Sequence, residues 1–273
     1  MAIKVTLMKK MKSNYFQFNT VMTVVLMHLL FFAVAAEGKT YTREQVIEKL
    51  QKLDNKNTVK ALINRTTENT TNNGDDVISS KVSVEIEAEF KQGSIIIHYP
   101  QDLLERIDKE KRANEKDPDS PMPVRTAAES INISEIQNLI DVNEVLIRQL
   151  KTAKLVNQKD SRYKEQDAVL LEFDVPPNMS KQQKKYIKKF SSKLKLWLNE
   201  NGLPLASEMH LTLKGRAFMV VSFQLENSET IEYKVYQNRL LSVLKESYSK
   251  NSGTSESGET RSLTTLSVLP AGK

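Results

Sequence analysis

The residues able to do acid–base or metal chemistry are few in this 273-residue chain, and they are scattered. Beyond the N-terminal segment two histidines remain, His98 and His210, each alone on a strand-like run. A metal site needs three or four ligands, so both are expected to be satisfied strand histidines and no metal is expected. There is no cysteine, which excludes thiol nucleophiles and cysteine metal sites. Asp167, Glu172 and Asp174 form a loose acidic group, and on a strand Glu172 and Asp174 share a face, as the paired acids of a glycosidase would. A solvated polar face has the same pattern, and that reading is preferred. Serines are plentiful, but no Gly-x-Ser-x-Gly elbow occurs. Neither the Rossmann glycine pattern nor the P-loop is present. The expectation is a protein with no catalytic residues and no cofactor; an envelope hydrolase ranks last among the readings.

Two other groups carry chemistry of a softer kind. Lysines 181, 184, 185, 188, 189, 193 and 195 crowd one short segment. Lys184, Lys185 and Lys188 are candidates for binding anionic head groups. A solvated helix face is the simpler alternative, because Tyr186, Ile187 and Phe190 would supply its inward stripe. Trp197 stands opposite the face of Leu194, Leu196 and Leu198; it is either a core tryptophan under a helix or the wall of an apolar cavity. Leu139, Ile140, Leu146 and Ile147, with Ile136 and Leu150, form an apolar stripe at helical spacing.

The elements that must position these residues are legible in outline. Lys9, Lys10 and Lys12 precede an apolar run from Val21 to Ala36 that ends in small residues, the layout of a cleavable signal peptide. Residues 1–36 are read as that signal, with residues 37–273 as a single exported domain. The run is shorter than the roughly 20 residues of a membrane span, so the cleaved product is not expected to be an integral membrane protein. Without cysteine it cannot be lipidated as a bacterial lipoprotein. The first 36 residues hold four lysines and no acid, so the rest of the chain carries 36 basic against 34 acidic residues. That balance gives no reason to expect nucleic acid as a partner.

A capping box at Thr42 and Gln45 predicts a helix over about 43–53, with a second stretch at 58–63 and a polar loop at 64–76. Four glycosylation sequons, at Asn64, Asn69, Asn132 and Asn178, are read as coincidence. Strict alternation from Val82 to Phe90 predicts a half-buried antiparallel strand, and Ser94 to Tyr99 returns beside it. A helical insertion over about 101–150 follows: a charged helix at 103–113, a proline-rich loop at 117–123, and a long amphipathic helix capped by Ser134. A hairpin turns around residues 160–166. Ser180 and Gln183 open a basic helix to about Phe190. From about 193 to 269 runs a β-meander, with turns at Asn201-Gly202, Gly215, Asn227–Glu229, Asn238-Arg239 and 251–259. The fold class is α+β: a single curved antiparallel sheet, open as a half-barrel and covered by a few helices.

This layout resembles a known family. Leu196-Trp197-Leu198-Asn199 through Gly202-Leu203-Pro204-Leu205 resembles the tryptophan strand, turn and proline strand of LolA/LolB-type periplasmic lipoprotein carriers. Tyr233-Lys234-Val235-Tyr236 with Asn238-Arg239-Leu240 is similar to the tail of such domains. Leu213 to Phe218 together with Ser257 to Ser262 looks like an uncharacterised family of bacterial exported proteins. The resemblance implies an open half-barrel whose helices enclose an apolar cavity for acyl chains, with Trp197, Leu139, Ile140, Leu146, Ile147 and Phe218 as candidate lining residues. No arginine maps onto the carriers' lid-locking residue. The implied function is a soluble periplasmic binder or carrier of a lipid, a lipoprotein or another apolar ligand. The alternative is a structural or interaction protein of the envelope with a filled core, whose partners are other envelope proteins.

Overall fold

The computed structural model describes residues 39–53, 57–73, 76–91, 93–217, 221–253 and 256–270. The segment read as a signal peptide, and Phe218, lie outside these residues. Thr42 and Gln45 form the expected reciprocal cap of α1 (Arg43–Gln51): the Gln45 N–H donates to Thr42 Oγ1 at 3.2 Å and the Thr42 N–H to Gln45 Oε1 at 2.8 Å. The next segment departs from expectation. In place of the helix at 58–63 and of most of the loop at 64–76 runs a single strand, β1 (Val59–Asn73). Val59, Ala61 and Ile63 are buried at every second position, and threonines, β-branched and at home in strands, continue the run. β1 is paired over its length with β2 (Asp76–Lys91) and along most of it with β10 (Glu256–Val268). In β2 the predicted alternation holds, with Val84, Ile86, Ala88 and Phe90 buried. Gly93, at φ +80°, turns the chain into the short strand β3 (Ser94–His98).

The helical insertion contains four helices: α2 (Gln101–Lys116), α3 (Pro123–Ser130), α4 (Ile133–Ile140) and α5 (Val142–Thr152). Helix α3 was not expected. Pro123 occupies its first turn, where a missing N–H costs nothing because that donor has no helical acceptor. The single long helix capped by Ser134 is two helices. Asn132 is the cap, its Oδ1 accepting the Glu135 N–H at 3.0 Å. Asp141, at φ −133° and ψ 57°, breaks the run between α4 and α5.

The chain then forms β4 (Lys154–Tyr163), β5 (Gln166–Asp174), a single helical turn α6 (Lys181–Lys184) and β6 (Ile187–Leu198). The cap at Ser180 and Gln183 forms as predicted, but the helix stops after one turn, and Ile187 to Phe190 are already strand. The meander ends with β7 (Pro204–Ala217), β8 (Val221–Tyr236), β9 (Arg239–Ser252) and β10. Its strands are longer than predicted. Asn227, Ser228 and Glu229 are not a turn; they pair on both flanks inside β8. Gly215 is not a turn either. It sits within β7, where a Cβ would lie 2.5 Å from the Tyr186 carbonyl oxygen and closer still to the Phe223 ring. Glycine there serves close approach rather than reversal. The β8–β9 turn falls one residue before the expected Asn238-Arg239: Gln237 and Asn238 both have positive φ, 46° and 63°, as a two-residue type I′ hairpin requires, and Arg239 opens β9.

All ten strands join one antiparallel sheet in the order β3-β2-β1-β10-β9-β8-β7-β6-β5-β4. The sheet is open, with β3 and β4 as its edges. The insertion leaves one edge strand and enters the other, so it must cross the sheet. In doing so it covers the apolar face. Two clusters lie beneath it. One joins β1, β2 and β10 to α2, α3 and α4 through residues such as Ile63, Ile86, Leu103, Ile131 and Ile136. The other joins β5 and β6 to α1 and α5 through Leu50, Leu146, Leu171, Phe173 and Leu196. Adjacent residues of β9, Leu240 and Leu241, belong to different clusters. The pairing of β8 with β9 is irregular between Glu232 and Tyr233, where Val243 is skipped.

Candidate functional site

The cover is held to the sheet by two buried arginines. Arg65, on β1, donates through Nε to Thr264 Oγ1 at 2.8 Å and through Nη1 to the Ser130 carbonyl and hydroxyl at 3.1 and 3.0 Å. Its Nη2 pairs with Glu135 in the first turn of α4. Glu135 also meets Lys245 of β9 at 3.2 Å, and Lys245 meets Glu229 of β8 at 3.0 Å. These four groups carry two positive and two negative charges, so the network is balanced. Burial works to lower the Lys245 pKa, but Glu229 and Glu135 outweigh it and hold the ammonium above its ordinary value. At the other end of α4, Arg239 lies fully buried over the Phe90 ring, 4.4 Å from its centroid. It donates to the Ile140 carbonyl at 3.3 Å and the Asn57 carbonyl at 2.9 Å. A cation at a helix C-terminus satisfies an orphan carbonyl and the helix dipole together. Helix α5 is clasped by α1: Asn143 Nδ2 donates to the Leu50 carbonyl at 3.2 Å, and Arg43 Nη1 to the Ala153 carbonyl at 2.9 Å.

Between these fastenings α4 and α5 stand off the sheet and leave a cavity of about 220 Å³. Leu139, Val142, Val145 and Leu146, with the amides of Asn138 and Gln149, form its roof; Leu194, Met209 and Ile231 form its apolar floor. Polar groups lie at defined points. Ser207 Oγ and Tyr233 OH are 2.6 Å apart. Burial pushes the Tyr233 phenol well above the ordinary tyrosine value; the Ser207 hydrogen bond opposes that and Glu229 adds to it. The Ser242 hydroxyl lines the same cavity, buried and without a hydrogen-bond partner among the described residues. Leaving a buried hydroxyl unsatisfied costs about 1–3 kcal/mol, so a ligand that hydrogen-bonds there recovers that loss. The Glu229–Lys245 pair closes one side.

The sequence-predicted residues separate around this cavity. Leu139 and Leu146 line it. Ile140 is buried in the first cluster, and Ile147 packs half-buried against the second. Trp197 does not line it. Strand alternation puts Trp197 on the face away from Leu194 and Leu196, where its ring lies tilted at 49° to that of Tyr163, centroids 5.5 Å apart. Burial, with Glu232 adding, pushes the Tyr163 phenol up to about 12. Lys184, Lys185 and Lys188 are exposed, far from the roof helices in the chain and off the cavity wall. His98 and His210 are exposed on strands, and no group of three or more metal-ligating side chains occurs among the described residues. Glu172 accepts from Asn157 Nδ2 at 3.0 Å and meets Lys159 at 3.5 Å, and these contacts hold its carboxyl below the usual range.

Arg65, Glu135, Ser207, Glu229, Ser242 and Lys245 escaped sequence reasoning. Arg65 and Glu229 are hidden because the Thr- and Asn-rich run around Arg65 and Asn227-Ser228-Glu229 have the composition of a loop and a turn. The others sit at ordinary strand or helix positions with nothing in their spacing to mark them. No helix among the described residues is long and apolar enough to cross a membrane. No family model and no curated protein matches the chain. Among solved structures, a DUF1329 family protein from Desulfovibrio piger is similar over 86% of this chain and 96% of that one, at 11% identity and a TM-score of 0.28. The fold therefore stands on the strand order and register described above rather than on that likeness.

Proposed function

We propose that this chain is an exported, periplasmic binder or carrier of an apolar ligand, such as a lipid or a lipoprotein acyl chain, and that it acts without a catalytic step. The observation that carries the reading is the cavity beneath α4 and α5, where leucines, valines, Met209 and Ile231 alternate with the Asn138 and Gln149 amides, the Ser207, Tyr233 and Ser242 hydroxyls and the Glu229–Lys245 pair. Ligand pockets combine apolar walls with a few placed polar groups in this way. A cavity of about 150 Å³ already takes up a benzene-sized guest, and this one is about 220 Å³. It fits a short aliphatic segment whose polar end reaches Ser242. A longer chain requires α4 and α5 to lift, and Asp141 is the break at which they would. The charge balance of Arg65, Glu135, Lys245 and Glu229 leaves no surplus cation for a carboxylate, so the ligand's polar end is an ester, amide or hydroxyl.

A second reading, an envelope scaffold with a filled core, draws on the fastening of the cover and the small volume. Native mass spectrometry of the purified protein, followed by organic extraction, separates the two. A co-purifying acyl species supports the carrier. A bare mass, with no uptake of a short-chain acyl ester offered at saturating concentration, supports the scaffold.

A further inference from the structure

Residues 175–199 contain seven lysines and no acid, and the facing stretch 209–217 of β7 also has none. Glu208 meets Lys195 at 3.1 Å, and Asp174 lies across from Lys193. The rest of the cluster, Lys184, Lys185, Lys188, Lys189, Lys214 and Arg216, takes part in no ion pair among the described residues. Lys189 and Lys214 are direct register partners. Like charges set opposite each other across two strands destabilise a sheet, and a helix stopped after one turn gives α6 little stability of its own to offset that. The cluster is therefore unfavourable in isolation and is relieved by an anionic surface.

The strand register says what else lies at this end. Ile187 pairs with Gly215, and Gly215 with Phe223. One residue on, Gln224 pairs with Ser252, Ser252 with Ser257, Ser257 with Asn72, and Asn72 with Val77. One row of cross-strand neighbours thus runs from the lysine cluster to the β1–β2 tip, six strand spacings or roughly 29 Å. At that far point Val77 and Ile78 are 66% and 63% exposed. Tyr186, within the cluster, is exposed as well. Cations beside an exposed tyrosine, with exposed aliphatics at the far end of the same row, are the pattern of an interfacial contact, in which lysines meet head groups and apolar tips enter the boundary. A nucleic acid would use the cations but not Val77 and Ile78.

We infer that this end of the sheet docks on a membrane surface carrying anionic lipid. The inference does not depend on the cavity or on what fills it. It predicts binding of the full chain to phosphatidylglycerol-containing vesicles that weakens with salt. Each lysine near such a surface is worth on the order of fivefold in partitioning.

The test is vesicle co-sedimentation of the full chain, wild type and variants, so that any contribution of residues 1–39 is common to all. Vesicles are phosphatidylcholine alone or with phosphatidylglycerol. Replacing Lys184, Lys185, Lys188 and Lys189 by glutamine should lower partitioning onto anionic vesicles by on the order of 600-fold and leave neutral vesicles unaffected. Val77→Ser with Ile78→Ser should lower binding to both. All substituted positions are exposed, and thermal unfolding checks that the fold is kept. Unchanged partitioning of the lysine variant on anionic vesicles would overturn the inference. So would a lysine-dependent affinity for duplex DNA that equals the affinity for anionic vesicles and persists unchanged in the Val77→Ser, Ile78→Ser variant. Probe uptake by the cavity is read separately, so failure of one proposal leaves the other standing.

Discussion

Leu146 and Leu196 are both almost fully buried, yet their surroundings differ: Leu146 faces the cavity and Leu196 does not. Truncating a leucine in a filled core costs about 2–5 kcal/mol. A side chain with open space on one side has fewer contacts to lose. Denaturant unfolding should therefore place Leu146→Ala near the bottom of that range and Leu196→Ala well above it; equal losses would mean that the roof is packed. Asp141 makes a second residue-scale prediction. Burial holds its carboxyl above the ordinary range, with Glu144 adding and Arg239 opposing. An acid with a raised folded pKa contributes stability that is complete below its unfolded pKa, about 3.9, and lost as pH rises through the folded value. Asparagine cannot ionise, and the Asp141 side chain makes no capping hydrogen bond to α5 that the change would lose. Asp141→Asn should thus be more stable than wild type at pH 7, and the difference should vanish near pH 3.

At the scale of elements, the fastening of α4 makes the clearest prediction. Removing Glu135 leaves Arg65 and Lys245 buried without their shared acid. Glu135→Ala should cost on the order of 3 kcal/mol, and amide exchange should quicken first in α3 and α4. A loss shared evenly by the whole sheet would count against a cover with its own fastening. Gly215→Ala should cost about 1–3 kcal/mol through overpacking, because the Tyr186 backbone cannot retreat as a side chain could. A neutral Gly215→Ala would mean that β6 does not approach as closely as described. The same elements show what a sequence conveys. Where one face is apolar, as from Val82 to Phe90, alternation located the strand. Past the helical cover both faces of β1, β8, β9 and β10 meet water, so Thr, Asn, Ser and Glu fill them and the segments read as loops. The capping pair at Ser180 and Gln183 was legible but not decisive, since pairing with β7 ended the helix after one turn. The break at Asp141 was hidden because Leu139, Ile140, Leu146 and Ile147 keep helical spacing on both sides of it.

For the whole molecule, the sheet's class was legible because a long run of strand-length segments with short turns permits little else. The strand order was not, since nothing local marks β1 as the neighbour of β10. The site was only half legible for the same reason. Its roof residues declare themselves by periodicity, whereas Ser207, Tyr233, Ser242 and Lys245 meet only because three strands, β7, β8 and β9, lie side by side. Trp197 drew notice as the largest apolar side chain, but strand alternation sends it to the other face. The central claim is that the space under α4 and α5 holds a ligand, and the most direct measurement is titration of the purified protein with a fluorescent short-chain acyl ester, alongside Met209→Trp, which fills the floor of the cavity. Saturable uptake by wild type at one probe per chain, weakened at least about tenfold in a folded Met209→Trp variant, is the predicted result; that factor corresponds to roughly 1.4 kcal/mol. No saturable uptake by wild type, or uptake that Met209→Trp leaves unchanged, would contradict it.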